Sequence, residues 1–230
     1  MIDSLKRPAQ NVLDIQFEDW TRMKSNVPFF DEILGGGAVC PGTLLFSGRG
    51  GAGKTSLMVQ VADGFSETGL KVVYAAAEEA PRQIAGHAKR LQIRTGFLIK
   101  EVEDPADVHT LIKDEHPDVV IVDSLHKLVS RNSLRVRAMT SLYNRAKRED
   151  IVMFILCHVN KKGQLAGPEE LKHIGDGHLH MDYDFNPKSP TFGLRVLQLE
   201  KYRFGTTEHV WGMHMEATGF NTAFRIEGQL

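Results

Sequence analysis

Cysteine is nearly missing from this chain of 230 residues: there are two, Cys40 and Cys157, and neither belongs to a Cys-x-x-Cys pair. Two thiols cannot build a four-thiolate zinc site, and they argue against a disulfide scaffold. No zinc and a reducing, cytoplasmic location are therefore expected. Long apolar runs are lacking too. None approaches the ~20 residues that cross a bilayer, and the start has no secretory-signal pattern, so no membrane association is expected. Nor is one sign of charge in excess: 28 Lys and Arg against 29 Asp and Glu leave a formal net charge of -1. Any contact with nucleic acid must then come from local basic clusters.

What remains is the composition of a folded globular chain, 42% hydrophobic and 25% charged, long enough to bury an ample core. One domain over residues 26–230 is expected, preceded by an arm of residues 1–25. That arm is polar apart from Phe17 and Trp20. Its aromatics suit packing on their own domain or docking on a neighbouring subunit.

The most specific signal is GRGGAGKT, Gly48 to Thr55, between the apolar run Leu44, Leu45, Phe46 and the periodic stretch Ser56 to Val61. Strand, glycine-rich loop and helix is the context a phosphate-binding loop requires. Gly48, Gly50, Gly51 and Gly53, with Ala52, let backbone N–H groups curl around an anion that bulky side chains would block. Lys54 can reach the β- and γ-phosphates, Thr55 can offer its hydroxyl to Mg²⁺, and Ser56 continues a helix whose positive end faces the ligand. ATP and Mg²⁺ are the expected ligands.

Downstream the chain alternates strand and helix. Lys71 to Ala75 reads as a strand ending in Glu78 and Glu79, and Pro81 opens a helix with Ile84, Ala88 and Leu91 on one face. Phe97 to Ile99 reads as a short strand, Pro105 to Glu115 as a helix, and Asp118 to Asp123 and Ile151 to Leu156 as buried strands. The pattern implies an α/β fold with a mainly parallel sheet flanked by helices. From Gly177 onward, short strands such as Phe192–Leu199 and Glu208–Met215 follow without helices between them, which implies an antiparallel extension.

Carboxylates at the C-terminal edge of a parallel sheet face the ligand crevice. Asp123, ending a strand about seventy residues after the loop, is the expected Mg²⁺ partner opposite Thr55. Glu78 is the candidate base for the attacking water, with Glu79 a capping or supporting group; both could instead serve the helix beginning near Pro81. His158, at the end of another strand, is a candidate sensor of the γ-phosphate or a structural histidine.

PFFDEILGGG at Pro28 to Gly37, the phosphate loop, AEEA at Ala77 to Ala80 and VVIVDS at Val119 to Ser124 together resemble the RecA-like ATPases. More narrowly, HVNKKGQLAGPEELKHIGD at His158 to Asp176 and KYRFG at Lys201 to Gly205 resemble the RadA (Sms) branch. The resemblance implies a RecA-like core in a ring, with a hexamer expected, that binds single-stranded DNA and drives branch migration or helicase-like translocation. It also implies that Lys201 and Arg203 reach the nucleotide of the adjacent subunit. The chain departs from the branch at Tyr202, where the family has Asn, and with two cysteines in 230 residues neither the four-cysteine zinc module nor a Lon-like domain is expected in it.

Two basic segments could line a DNA channel: one with His126, Lys127, Arg131, Arg135 and Arg137, the other with Lys161, Lys162 and Lys172. The first could equally be solvated surface, while for the second the family resemblance favours DNA over solvated surface. Neither has interleaved aromatics, so phosphate contact without base stacking is the expectation. Two further readings stay open beside the DNA motor: a nucleotide-gated, KaiC-like ring that recruits partners while hydrolysing slowly, and a strand-exchange filament.

Overall fold

The computed structural model describes residues 11–14, 16, 19–159, 168–207 and 209–226. A short strand β1 (Arg22–Met23) and helix α1 (Pro28–Ile33) precede β2 (Ala38–Val39), which pairs antiparallel with β1. The segment from Pro28 to Gly42, rich in glycine and proline, thus carries a helix that its composition hides. Pro28 starts it, in a position where the missing N–H costs no hydrogen bond. Then follow β3 (Gly42–Gly48), α2 (Lys54–Glu67), β4 (Val72–Ala76), α3 (Pro81–Leu91), β5 (Leu98–Glu101) and α4 (Pro105–Glu115). β6 (Val119–Asp123), α5 (Leu125–Leu128), α6 (Asn132–Arg148), β7 (Val152–His158) and α7 (Glu170–Ile174) continue the alternation. The chain closes with β8 (Gly177–Tyr183), β9 (Arg195–Tyr202), β10 (Val210–Glu216) and β11 (Gly219–Ile226).

These strands form a nine-stranded sheet in the order β11-β10-β9-β8-β3-β7-β6-β4-β5. β5, β4, β6, β7, β3 and β8 run parallel, and β9, β10 and β11 extend the sheet antiparallel. The α/β class expected from the strand-helix alternation is the class observed. The antiparallel part begins one strand later than expected, because β8 still runs parallel to β3. Its neighbour starts at Arg195 rather than Phe192, whose ring is 55% exposed in the connecting turn.

The sheet has a core on each face, and strand periodicity of two sorts residues between them. In β3, Leu44 and Phe46 enter one core and Leu45 the other; in β7, Phe154 and Leu156 oppose Met153 and Ile155. This is why the central strands read as unbroken apolar runs. Phe154 anchors the first core, its ring 5.7 Å from that of Phe30 and 6.1 Å from that of Phe65. The second is closed by α6 through Met139, Leu142 and Ala146.

Polar residues pin the connections. Asp104 caps α4 by accepting from the N–H groups of Ala106 and Asp107, while the Asp107 carboxylate accepts from the Asp104 N–H. Arg22 donates to the carbonyls of Leu34, Gly37 and Phe204, and Trp20 lies 4.8 Å from the Phe204 ring. Trp20 therefore contacts its own chain; Phe17 lies outside the described residues. Buried Asp63 in α2 accepts from three consecutive N–H groups, of Arg94, Thr95 and Gly96, at 2.6 to 2.9 Å. Asp63→Ala would strand all three donors and is expected to lower unfolding free energy by about 2 kcal/mol in a denaturant titration.

Candidate active site

β3 delivers the chain to the sheet's C-terminal edge and α2 starts six residues beyond its end, so Gly48 to Gly53 must turn sharply. Two glycines have no substitute there. A Cβ on Gly48 would sit 2.1 Å from the Met181 carbonyl oxygen; Gly53 has φ +107°, and its Cβ would meet the Phe220 ring at 2.8 Å. Gly50, Gly51 and Ala52 complete the loop, whose N–H groups join the amino end of the 14-residue α2. Lys54 is buried and its ammonium donates to the carbonyls of Gly48 at 2.8 Å and Arg49 at 3.0 Å. Burial lowers its pKa, partly offset by Asp123 and Glu78. Ser56 accepts from Arg90 at 2.8 Å.

Asp123, at the end of β6, is buried beside this helix start. Its carboxylate accepts from the Thr55 hydroxyl at 3.0 Å and the Tyr74 hydroxyl at 2.6 Å. Burial raises its pKa, and those two hydrogen bonds oppose the rise. Its main-chain carbonyl accepts from the N–H groups of Ala77 and Glu78 at 2.7 and 2.9 Å. That contact fixes where the segment after β4 leaves the sheet and so where Glu78 points. Glu78 accepts from His158 at 2.8 and 2.9 Å. Burial works against ionising Glu78, but the His158 hydrogen bond and the charges of His158 and Lys54 prevail and lower its pKa. Glu79 instead meets His87 at 3.0 Å.

The loop, Glu78, Asp123 and His158 therefore surround one cavity of about 340 Å³, of a size for a small ligand. Among the described residues, no group of three or more His, Cys, Asp or Glu is placed to hold a metal alone. The oxygen pair of Thr55 and Asp123 fits Mg²⁺, which takes one or two protein oxygens and completes its shell with phosphate and water. Tyr74, His87, Arg90 and Met215 also serve this cavity or its carboxylates, and no motif marks them. Tyr74 reads as one more apolar strand residue, and Met215 arrives from β10, far along the chain.

The remaining candidates lie elsewhere. Lys201 donates to the carbonyls of Lys172, His173 and Gly175, closing the C-terminal end of α7. Arg203, 45% exposed, pairs with buried Asp176 at 2.8 Å and with the Tyr143 hydroxyl at 3.1 Å. Arg131 is exposed at the start of α6, and Lys172 lies 3.7 Å from Glu200. Arg135 corrects the expectation of a DNA contact: it is buried, and its guanidinium donates to the Val129 and Ser130 carbonyls and the Asn132 side chain. Its donors hold the turn between α5 and α6. Lys161 and Lys162 lie outside the described residues. No helix among the described residues is long and apolar enough to cross a membrane.

Residues 23–104 match the family described as "ATPase: KaiC". The DNA repair protein RadA of Chlamydia muridarum is 32% identical over 223 residues, covering 90% of this chain and 46% of that protein. Its counterpart in Campylobacter jejuni is 33% identical over 220 residues, covering 91% and 48%. That of Helicobacter pylori strain J99 is 30% identical over 239 residues, covering 97% and 52%. The chain spans about half the length of these curated relatives. A KaiC-like protein from Pyrococcus horikoshii superposes with a TM-score of 0.75 at 18% identity, over 89% of this chain and 99% of that one, which shows a shared fold.

The Glu78 geometry has a measurable consequence. Folding depresses its carboxyl below the ordinary value of 4.5, so ionised Glu78 stabilises the fold above that pH. The contribution fades as pH falls through the lowered folded value. Glu78→Gln is expected to shift the denaturant midpoint at neutral pH and progressively less as the medium is acidified below 4.5.

Proposed function

We propose, for a chain whose ATPase core is RadA-like within the RecA-like ATPases, that it hydrolyses ATP with Mg²⁺ and couples hydrolysis to single-stranded or branched DNA in recombination and repair. It would work as a ring, a hexamer by analogy, whose sites are completed by neighbouring subunits. One observation carries the chemistry: Lys54, Thr55, Glu78, Asp123 and His158 converge from four sheet-edge segments on a single cavity. DNA repair is what the relatives are named for, and its extension to this chain rests on 30 to 33% identity.

Loop N–H groups and the amino end of α2 would cradle the phosphates, with Lys54 moving from its loop carbonyls to the β- and γ-phosphate oxygens. Thr55 and Asp123 would hold Mg²⁺, which neutralises phosphate charge when bound. Glu78, kept ionised and oriented by His158, is placed to align a water and accept its proton; His158 reports the γ-phosphate through the same bond. Arg203 is the group suited to act across a subunit boundary, because it is half exposed and a guanidinium there stabilises transition-state charge. Lys201 has three carbonyl partners of its own, so its part is to hold the end of α7 beside Arg203, and it would reach the neighbour only by leaving them. For DNA, exposed Lys127, Arg131 and Arg137, with Lys161, Lys162 and Lys172, offer phosphate contacts without base readout.

The family match at residues 23–104 also favours a second reading, a KaiC-like ring that binds ATP to recruit partners. ATP turnover measured with and without mixed-sequence single-stranded DNA separates the two. Stimulation is expected, together with DNA retention that weakens as salt rises; neither effect at low salt would leave the slow ring. Imaging of the ATP-bound assembly distinguishes closed rings from a strand-exchange filament.

Three substitutions test the roles by nucleotide binding and steady-state turnover. Lys54→Ala should lose both. Glu78→Gln should bind ATP yet turn over about a hundredfold more slowly, and unchanged turnover would remove Glu78 as the base. Arg203→Ala should bind ATP normally and lose the rise in specific activity with protein concentration.

A further inference from the structure

Directly beneath the phosphate loop lies a polar chain that the proposed hydrolysis does not use. The Ser47 hydroxyl, one residue before Gly48, is 2.7 Å from His178 Nε2 and 2.9 Å from His180 Nδ1. On its far side His178 Nδ1 is 2.9 Å from Glu200 Oε2. Ser47 is 1% and His178 2% exposed, so the order Ser-His-Glu is not a reacting triad: no substrate reaches the hydroxyl. Buried polar groups at these distances hold position instead.

Proton placement makes the chain directional. Glu200 is acceptor-only when ionised, so His178 Nδ1 carries a hydrogen toward it. In the neutral ring Nε2 is then the acceptor for the Ser47 hydroxyl, whose oxygen accepts from His180 Nδ1–H. The His178 hydrogen bond outweighs burial and draws the Glu200 carboxyl down to about 2, while burial lowers the His180 pKa. The other charges beside the chain are Lys172 of α7, 3.7 Å from Glu200, and Asp182 of β8, itself paired with Arg49 at 3.2 Å.

The backbone is shaped around this chain. Across β8 and β9, His178 pairs with Lys201 but Leu179 pairs with Leu199, so Glu200 is the extra residue of a β-bulge. Bulges re-aim a side chain, and here the re-aimed side chain is the one that meets His178. Across β3 and β8, Ser47 pairs with His180 and Gly48 with Met181, whose carbonyl leaves no room for a Cβ on Gly48. The position of β8 thus sets the base of the loop at one end, and β9 continues from the bulge into Lys201 and Arg203 at the other.

We infer that Ser47, His178, His180 and Glu200 form a hydrogen-bonded relay that positions the base of the phosphate loop and ties it to the strand bearing Lys201 and leading into Arg203. These are positioning residues, and the inference rests on the nucleotide site proposed above. Glu200 lies at a bulge outside the nucleotide cavity, yet its side chain bears on the loop through two hydrogen bonds.

The test measures binding of a fluorescent ATP analogue, ATP turnover and thermal unfolding on the full chain. The variants are Ser47→Ala, His178→Asn, Glu200→Ala and the double change Ser47→Ala/Glu200→Ala. Each single change is expected to weaken binding about fivefold, with kcat at saturating ATP within about twofold of wild type. The double change should weaken binding no further than Ser47→Ala, because both cut one chain. Effects that add, or a Glu200→Ala chain that loses thermal stability but binds like wild type, would overturn the relay. Should Ser47→Ala fail to fold, the partly exposed Glu200→Ala decides alone, weakened binding supporting the relay and unchanged binding overturning it. A wild-type chain that binds no ATP analogue overturns the nucleotide reading and the relay with it; wild-type binding with uncoupled variants overturns the relay only.

Discussion

Burying a carboxylate obliges a fold to surround it with donors, and Asp123 imposes that obligation at the centre of this one. Its side chain takes the hydroxyls of Thr55 and Tyr74, and its backbone carbonyl takes the N–H groups of Ala77 and Glu78. One residue thereby fixes the first turn of α2 and the exit from β4, the two places from which Lys54 and Glu78 project. Without it the glycine-rich loop and the acidic pair would be separate features of one sheet edge. With it they share a cavity and a charge balance, in which Lys54 and Glu78 each lower the cost of the other's ionised form.

The second layer of order comes from how the sheet ends. β8 keeps the parallel direction of β3, and only from β9 does the chain turn back. The strand flanking the phosphate loop is consequently also the partner of the strand that carries Lys201 and leads into Arg203. β8 therefore spans from one to the other, with Met181 beside Gly48 at one edge of the sheet and Gly177 beside Tyr202 at the opposite edge. A sheet that reversed direction at Gly177 would have lost the pairing of Gly48 with Met181 that shapes the loop.

Much of this was legible in the sequence because period and punctuation carry it. The runs at Val119 to Asp123 and Val152 to Leu156 could belong only to strands covered on both faces, and the loop motif located the phosphate site. Helix α1 was not legible, since Gly35 to Gly37 and Pro28 dominate the local composition while Phe30 and Ile33 are held by the core. Arg135 was misread for a related reason: at helical spacing it looks like its exposed neighbours Arg131 and Arg137, and only the turn it holds reveals that its donors are spent. Tyr74 and His178 depend on partners 49 and 131 residues away, and no motif marks either side chain itself. Contacts of that kind are properties of the folded sheet and leave no local pattern.

Arg22 gives the N-terminal segment a mechanical role. Its single guanidinium joins the carbonyls after α1 to that of Phe204, and Trp20 rests on the same Phe204 ring. Phe204 is the residue after Arg203. The N-terminal segment and the Lys201–Gly205 turn are therefore joined by direct contacts at Phe204, and a displacement of the first would be felt at the second without any strand of the sheet relaying it.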